Sequence, residues 1–216
     1  MTQEEFYGSY LPELEAVYRN LMHQAEQIQK EHEKSADRNP VEHYKGRIKS
    51  AESMAAKLER RGLPVTAEAA LTENHDAVGI RIICNFTRDV YAVARILKAQ
   101  NQVVEEKDYI RNPKDNGYRS YHMIVSFPCE SSIDKAGAEK SEAEMGNSVT
   151  EILAEIQIRT IAMDCWASLE HQLKYKKCVN NQNLIERELK RCANELASAD
   201  VMMQTIQELI EADEPQ

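Results

Sequence analysis

Two carboxylates, two clusters of cations and one tyrosine are spaced in this sequence as phosphoryl-transfer chemistry would need them. In the run 151–159 the even positions Ile152, Ala154, Ile156 and Ile158 are apolar, so Glu155, Gln157 and Arg159 share the other face of a strand. The solvent-facing half of an ordinary edge strand would alternate in the same way. In the run 42–49, His43, Lys45, Arg47 and Lys49 oppose Tyr44 and Ile48, which sets three cations in a row roughly 7 Å apart. Such a row suits a polyphosphate. Ser53 and Lys57 follow Lys49 by one and two helical turns and extend the basic track, with solvated helix residues as the competing reading.

Asp76 stands just before Val78-Gly79-Ile80-Arg81-Ile82-Ile83, a buried-strand composition with an arginine inside it. That arginine requires an anionic or stacking partner, which a structural salt bridge would also supply. The densest segment runs from Lys107 to His122, with Lys107, Arg111, Lys114 and Arg119 set against Asp108 and Asp115. Pro113 and Asn116-Gly117 make a turn, and beyond it Tyr118, Ser120 and His122 are expected on one strand face. An aromatic plane beside cations is what nucleobase stacking over a phosphate site requires, although loop charge alone would also look like this. Together, Asp76, Glu155, the two basic clusters and Tyr118 suit magnesium-dependent phosphoryl transfer between nucleotides. No G-x-x-x-x-G-K-[ST] loop or kinase signature is present, which excludes a P-loop enzyme and a protein kinase.

The elements that must position these groups follow from periodicity. Leu11, Leu14, Tyr18, Leu21, Ala25 and Ile28 form one stripe of an amphipathic N-terminal helix within 1–38, ending before Asn39-Pro40. Strands are expected at 42–49, 78–84, 102–109, 119–127 and 151–159, and helices at 50–61, 87–100 (Thr87 as N-cap) and 161–177. Residues 130–148 read as a long exposed loop or insert. At the C-terminus Ile185, Leu189, Cys192, Leu196, Ala199, Met203, Ile206 and Ile210 keep a heptad seam within 183–212, to be covered by the first helix, by a second subunit, or by both. The acidic residues Glu208, Glu211, Asp213 and Glu214 are expected to be solvated and frayed. The whole is an α+β chain with a mixed β-sheet and flanking helices, one domain over 1–216 with a catalytic core at 41–177.

Composition narrows the class. The chain has 216 residues, 42% of them hydrophobic, which excludes a disordered chain. A formal net charge of -9 argues against a surface built wholly for nucleic acid and leaves only a local basic cleft. No run is long and apolar enough for a membrane span, and the acidic start lacks the features of a signal peptide, so a cytoplasmic protein is expected. Cys84, Cys129, Cys165, Cys178 and Cys192 form no C-x-x-C pair, and the histidines are scattered, so neither a disulfide framework nor structural zinc is expected.

Gly46-Arg47-Ile48-Lys49-Ser50, His75-Asp76-Ala77-Val78-Gly79-Ile80-Arg81, Asp108-Tyr109-Ile110, Asn116-Gly117-Tyr118-Arg119-Ser120-Tyr121-His122 and Glu155-Ile156-Gln157-Ile158-Arg159-Thr160 resemble, in this order, the motifs of small alarmone synthetases. These are single-domain GTP pyrophosphokinases of the RelA/SpoT-homologue superfamily, and the likeness extends to Trp166-Ala167-Ser168-Leu169-Glu170-His171. The resemblance implies a nucleotidyltransferase-like synthetase fold. It implies transfer of the β,γ-pyrophosphoryl group of ATP to the 3′-hydroxyl of GTP or GDP, giving (p)ppGpp and AMP in the stringent response, with Mg²⁺ as the metal. Asp76 and Glu155 would hold Mg²⁺, with Glu155 as general base. Arg47 and Arg81 would sandwich adenine, and Lys49, Ser53 and Lys57 would line the ATP phosphates. Guanine would lie on Tyr118, with Lys114, Asn116, His122 and Gln157 around the acceptor nucleotide and Lys107 near its phosphates.

Relatives of this kind are typically homotetramers, which fits the heptad seam, and an alarmone or a single-stranded RNA is a candidate regulator. Three departures from the family pattern stand out: Ala77-Val78 in place of Ile-Ala, Asp164 where many relatives carry Asn, and the length of the 130–148 insert. His75-Asp76 lacks the accompanying histidines and Glu-Asp pair of an alarmone hydrolase, so hydrolysis is not expected. The alternatives are a pyrophosphokinase acting on adenine nucleotides or tRNA 3′ ends, and an inactive nucleotide- or RNA-binding regulator.

Overall fold

A computed structural model describes residues 1–34, 38–129, 149–174 and 181–213. The N-terminal stripe from Leu11 to Ile28 lies on one helix, but the wider stretch 1–38 does not form one. The chain turns at Gly8, where φ is +54°, leaving a short α1 (Gln3–Tyr7), a single 3-10 turn (Gly8–Tyr10) and a long α2 (Leu11–Lys34). Leu14, Leu21, Ala25 and Ile28 of α2 are buried as the stripe requires.

The expected strands form within a residue or two of their sequence bounds: β1 (Val41–Ile48), β2 (Val78–Cys84), β3 (Gln102–Asp108), β4 (Tyr121–Pro128) and β5 (Glu151–Thr160). β4 begins later than expected, so Tyr118 and Ser120 lie in the turn before it rather than in the strand. The helices are α3 (Ala51–Arg60), α4 (Ala67–Thr72), α5 (Thr87–Gln100), α6 (Ile161–Lys174) and α7 (Gln182–Asp213). Ser50 caps α3 by accepting from the Ser53 N–H at 3.3 Å. The cap of α5 is Phe86 rather than Thr87, because the Asp89 carboxylate reaches back to accept the Phe86 N–H at 3.0 Å. The short helix α4 has no counterpart in the sequence reading. The 130–148 insert and Cys178 lie outside the described residues.

The sheet order is β1-β2-β5-β4-β3, with β2 and β5 parallel and every other neighbour antiparallel. Ile80, Ile82, Ile156, Ile158, Met123 and Val125 are buried on one face, against which α2 and α5 pack. The register carries the polar residues of five strands to the other face. Arg47 pairs with Gly79 and Lys45 with Arg81; Gly79 pairs with Glu155 and Arg81 with Gln157; His122 pairs with Gln157 and Lys107 with His122.

Gly46 lies on the apolar face where α2 crosses β1. A Cβ there would stand 2.9 Å from Ile80 Cγ2, Met22 Sδ and Tyr18 Cε2. Overfilling such a contact costs about 1–3 kcal/mol, so Gly46→Ala is expected to lower the thermal midpoint by several degrees while leaving the polar face intact. An unchanged midpoint in a melting experiment would show that α2 can lift away at no cost.

α7 lies along α6 and reaches α5, not principally the N-terminal helix. The acidic end is helical to Asp213 rather than frayed. There Arg88 Nη1 donates to Glu211 Oε2 at 2.8 Å, with a second contact between Nη2 and Oε1. The Arg88 hydrogen bond, assisted by Gln207, holds the Glu211 carboxyl at about 2, below its ordinary 4.5. Because the folded value lies below the unfolded one, the contact stabilises fully above pH 4.5 and is lost as the pH falls towards about 2. Arg88→Ala is expected to move the Glu211 midpoint upward in a side-chain NMR titration. A midpoint that stays low would assign the shift to another cause.

The C-terminal half of the seam is uncovered in a single chain: Met203 is 56%, Ile206 50% and Ile210 54% exposed. No helix among the described residues is long and apolar enough to cross a membrane.

Candidate active site

Asp76 enters the site from the turn before β2, and Lys49 and Lys57 converge on it. Lys49 Nζ lies 2.6 Å from Oδ2 and Lys57 Nζ 2.7 Å from Oδ1. Lys49 is aimed by the end of β1, where its N–H donates to the Ala77 carbonyl at 2.8 Å. Lys57 is aimed by α3, whose cap also sets Ser53 beside Ser50, hydroxyl to hydroxyl at 2.9 Å. Burial raises the Asp76 pKa, but the two lysines outweigh it and leave the carboxyl below the ordinary range.

Glu155 stands on β5. Its Oε1 is 3.0 Å from His122 Nδ1, and its Oε2 accepts from Gln157 Nε2 at 2.8 Å. Burial pushes its carboxyl up, the His122 and Gln157 contacts pull it down by more, and the charge of Asp76 opposes that fall. The two carboxylates therefore feel one another across the sheet face. Magnesium is commonly held by one or two carboxylates completed by water and substrate phosphates, and Asp76 with Glu155 is a donor set of that chemistry. No group of three or more His, Cys, Asp or Glu able to hold a metal on its own occurs among the described residues.

The residues that the resemblance assigns to the acceptor gather around Tyr118. Arg159 Nη2 donates to the Tyr118 hydroxyl at 2.6 Å, and that hydroxyl is 2.8 Å from His122 Nε2. His122 thus bridges the Tyr118 hydroxyl at Nε2 and the Glu155 carboxylate at Nδ1. Lys114 Nζ stands 4.9 Å from the Tyr118 ring centre and 4.6 Å from that of Tyr109. Asn116 Oδ1 accepts the Tyr118 N–H at 3.1 Å, and Asn116 Nδ2 donates to Glu170 Oε1 at 3.2 Å.

The turn needs Gly117, at φ +93°, because a Cβ there would lie 2.6 Å from the Ala193 methyl of α7. Arg119 and Trp166 fasten α7 beside it, Arg119 Nη2 donating to Asn194 Oδ1 at 3.2 Å and Trp166 Nε1 to the Leu189 carbonyl at 2.8 Å. The C-terminal helix is thus the rear wall of the tyrosine loop.

The fold thus brings Asp76, Lys49, Ser53 and Lys57 together at one end, and Glu155, Gln157, His122, Tyr118, Asn116 and Lys114 together at the other. Arg47 is exposed on β1, in line with them. Lys107 stands at the rim and pairs with Glu105 at 2.7 Å. The partner that Arg81 requires is Asp164, whose Oδ1 accepts from Arg81 Nη1 at 3.0 Å. Three residues of the site had no role in the sequence reading. Arg159 shares the face of Glu155, and alternation alone placed it there. Tyr109 sat in a quoted motif, and Asp164 stood out only as a departure where many relatives carry Asn near the guanine, its partner Arg81 lying 83 positions away. A cavity of about 890 Å³ lies between Asn116, Glu170 and the first turns of α7, beside the tyrosine loop and away from Asp76 and Glu155.

A sheet face bearing separated carboxylates, a lysine pair and a cation-capped tyrosine carries the chemistry that two phosphorylated ligands side by side would need. Residues 46–180 match the region found in RelA / SpoT proteins, and the chain belongs to that family. It is 43% identical over 157 residues to GTP pyrophosphokinase YwaC of Bacillus subtilis, covering 72% of this chain and 68% of the relative. The small alarmone synthetase 1 of Bacillus subtilis bound to its product pppGpp superposes with a TM-score of 0.76, at 31% identity over 94% of this chain and 96% of the other. The same synthetase bound to AMPCPP gives 0.67, at 27% identity over 94% and 96%. The mixed sheet with its flanking helices is therefore the synthetase fold of that family.

Proposed function

We propose that this chain transfers the β,γ-pyrophosphoryl group of ATP to the 3′-hydroxyl of GTP or GDP, giving pppGpp or ppGpp and AMP. The observation that carries the proposal is the pairing, on one sheet face, of the lysine-clasped Asp76 with a Glu155 joined through His122 to the cation-capped Tyr118. The product-bound and AMPCPP-bound relatives support the same nucleotide classes. In this reading Arg47 and Arg81 take the adenine, and Lys49, Ser53 and Lys57 take the ATP phosphates. Tyr118 takes the guanine. Lys114, Asn116, His122 and Gln157 surround the acceptor, with Lys107 at its phosphates.

Asp76 and Glu155 would hold Mg²⁺, which when bound neutralises phosphate charge. Glu155 accepts the 3′-hydroxyl proton as the oxygen bonds to the β-phosphorus of ATP and the bridge to the α-phosphate breaks, releasing AMP. Lys49 and Lys57 are placed to turn from Asp76 to the charge that develops on the phosphate oxygens, with no covalent intermediate on the protein.

The uncovered apolar stripe of α7 supports assembly of copies of the chain, with a homotetramer as the proposed form. A cytoplasmic location and control by an alarmone or a single-stranded RNA complete the reading.

The test is an acceptor panel with Mg²⁺, labelled ATP and each of GTP, GDP, GMP and tRNA. Label on the guanine nucleotides supports the reading. Label on adenosine or on RNA would move the chain to the other pyrophosphokinase class, and no transfer would make it a binding protein.

A further inference from the structure

We infer that Asp164 is a positioning residue that joins the two nucleotide halves of the site, by holding the guanidinium groups of Arg81 and Arg159 on one carboxylate oxygen. The inference rests on the function proposed above. Both Arg81 Nη1 and Arg159 Nη1 donate to Asp164 Oδ1 at 3.0 Å, and Lys45 Nζ lies 3.9 Å from Oδ2. Side chains from β1, β2 and β5 thus converge on one residue of α6. The helix begins directly after β5, where Thr160 Oγ1 accepts the Met163 N–H at 3.2 Å, and this sets Asp164 in the first turn, above the sheet face.

The setting makes this carboxylate more than a surface contact. The Asp164 side chain is 14% exposed and that of Arg159 only 4%. Two guanidinium groups that share one oxygen in a poorly solvated place repel each other strongly unless an anion stands between them. Asp164 compensates one of the three positive charges and leaves the cluster basic.

What Arg159 does depends on where it is held. Its Nη2 reaches the Tyr118 hydroxyl and, at 2.9 Å, Gln157 Oε1, while its Nε reaches Ser120 Oγ at 3.3 Å. Asp164 therefore orients the acceptor-side tyrosine through Arg159 and the donor-side cation through Arg81. It need not touch either nucleotide.

The test measures binding of AMPCPP and of GDP separately, by calorimetric titration, to the wild-type protein, Asp164→Asn and Asp164→Ala, with a melting curve for each. Asp164→Ala is expected to weaken both ligands about tenfold or more. Asp164→Asn, whose amide oxygen still accepts from both arginines but which removes the anion between them, is expected to weaken both ligands by about two- to fivefold. Loss of GDP binding alone would make Asp164 an acceptor contact and overturn the inference, as would affinities within twofold of wild type. If Asp164→Ala does not fold, Asp164→Asn decides: a loss of about two- to fivefold, shared by both ligands, supports the inference, and an unshared one overturns it. Titration needs no turnover. A wild-type protein that binds both nucleotides yet makes no alarmone would overturn the proposed function and leave this test standing.

Discussion

Glu155→Gln is expected to lower kcat for pyrophosphoryl transfer by about 10²–10⁴-fold, the range lost with a positioned general base. The substitution keeps the volume of the side chain and an oxygen able to accept from His122 Nδ1 or Gln157 Nε2, so the sheet face should stay assembled. What disappears is a group able to take the 3′-hydroxyl proton. Two features of Glu155 suit that task. Its carboxyl is held ionised by His122 and Gln157 against the effect of burial, and a hydrogen-bonded chain from Arg159 through Tyr118 and His122 ends on it. Steady-state rates with an unchanged melting curve would check this, and a variant within fivefold of wild type would show that Glu155 only braces the histidine.

Tyr118→Ala is expected to raise the acceptor KM about five- to 150-fold while leaving the KM for ATP nearly unchanged. The magnitude follows from a stacking energy of about 1–3 kcal/mol per base. Tyr118→Phe separates two roles of the residue. It keeps the ring under Lys114 and removes the hydroxyl that Arg159 and His122 share. Its acceptor KM should rise only a few-fold, with the larger share of its defect in kcat, because His122 then loses one of its two anchors. A Tyr118→Ala protein with a normal acceptor KM, measured by varying GDP at saturating ATP, would remove guanine from this ring.

Much of this site is legible in the sequence. Strict alternation in β5 placed Glu155, Gln157 and Arg159 together, and the steps from Lys49 to Ser53 to Lys57 placed one basic track on α3. Periodicity of this kind is local, and local geometry alone decides it. What stayed hidden was every relation set by register or by packing between distant segments. Asp76 meets Lys49 and Lys57 only because β1 pairs with β2, and Asp164 meets Arg81 only because α6 folds back over β2 and β5.

The seam of α7 illustrates the same limit. A heptad pattern announces that an apolar face needs cover, yet it does not say what covers it: α7 lies against α6 and α5, and Met203, Ile206 and Ile210 of the seam stay exposed. At Gly8 a positive φ ends a short first helix before the stripe begins, inside the stretch 1–38 expected as one helix. The late start of β4 has a similar cause: Gly117 and the Asn116 side chain hold the chain in a turn, and Tyr118 reaches the site face from that turn instead of from the strand.

In the proposed reaction ATP gives up two phosphates as one unit to a guanosine 3′-hydroxyl. The measurement that tests it most directly follows ATP and GDP with Mg²⁺ by phosphorus NMR, on the wild-type protein and on Glu155→Gln. AMP and ppGpp appearing in equal amounts, and only with the wild-type protein, is the expected result. ADP with orthophosphate, or consumption of ATP while GDP stays intact, would contradict it.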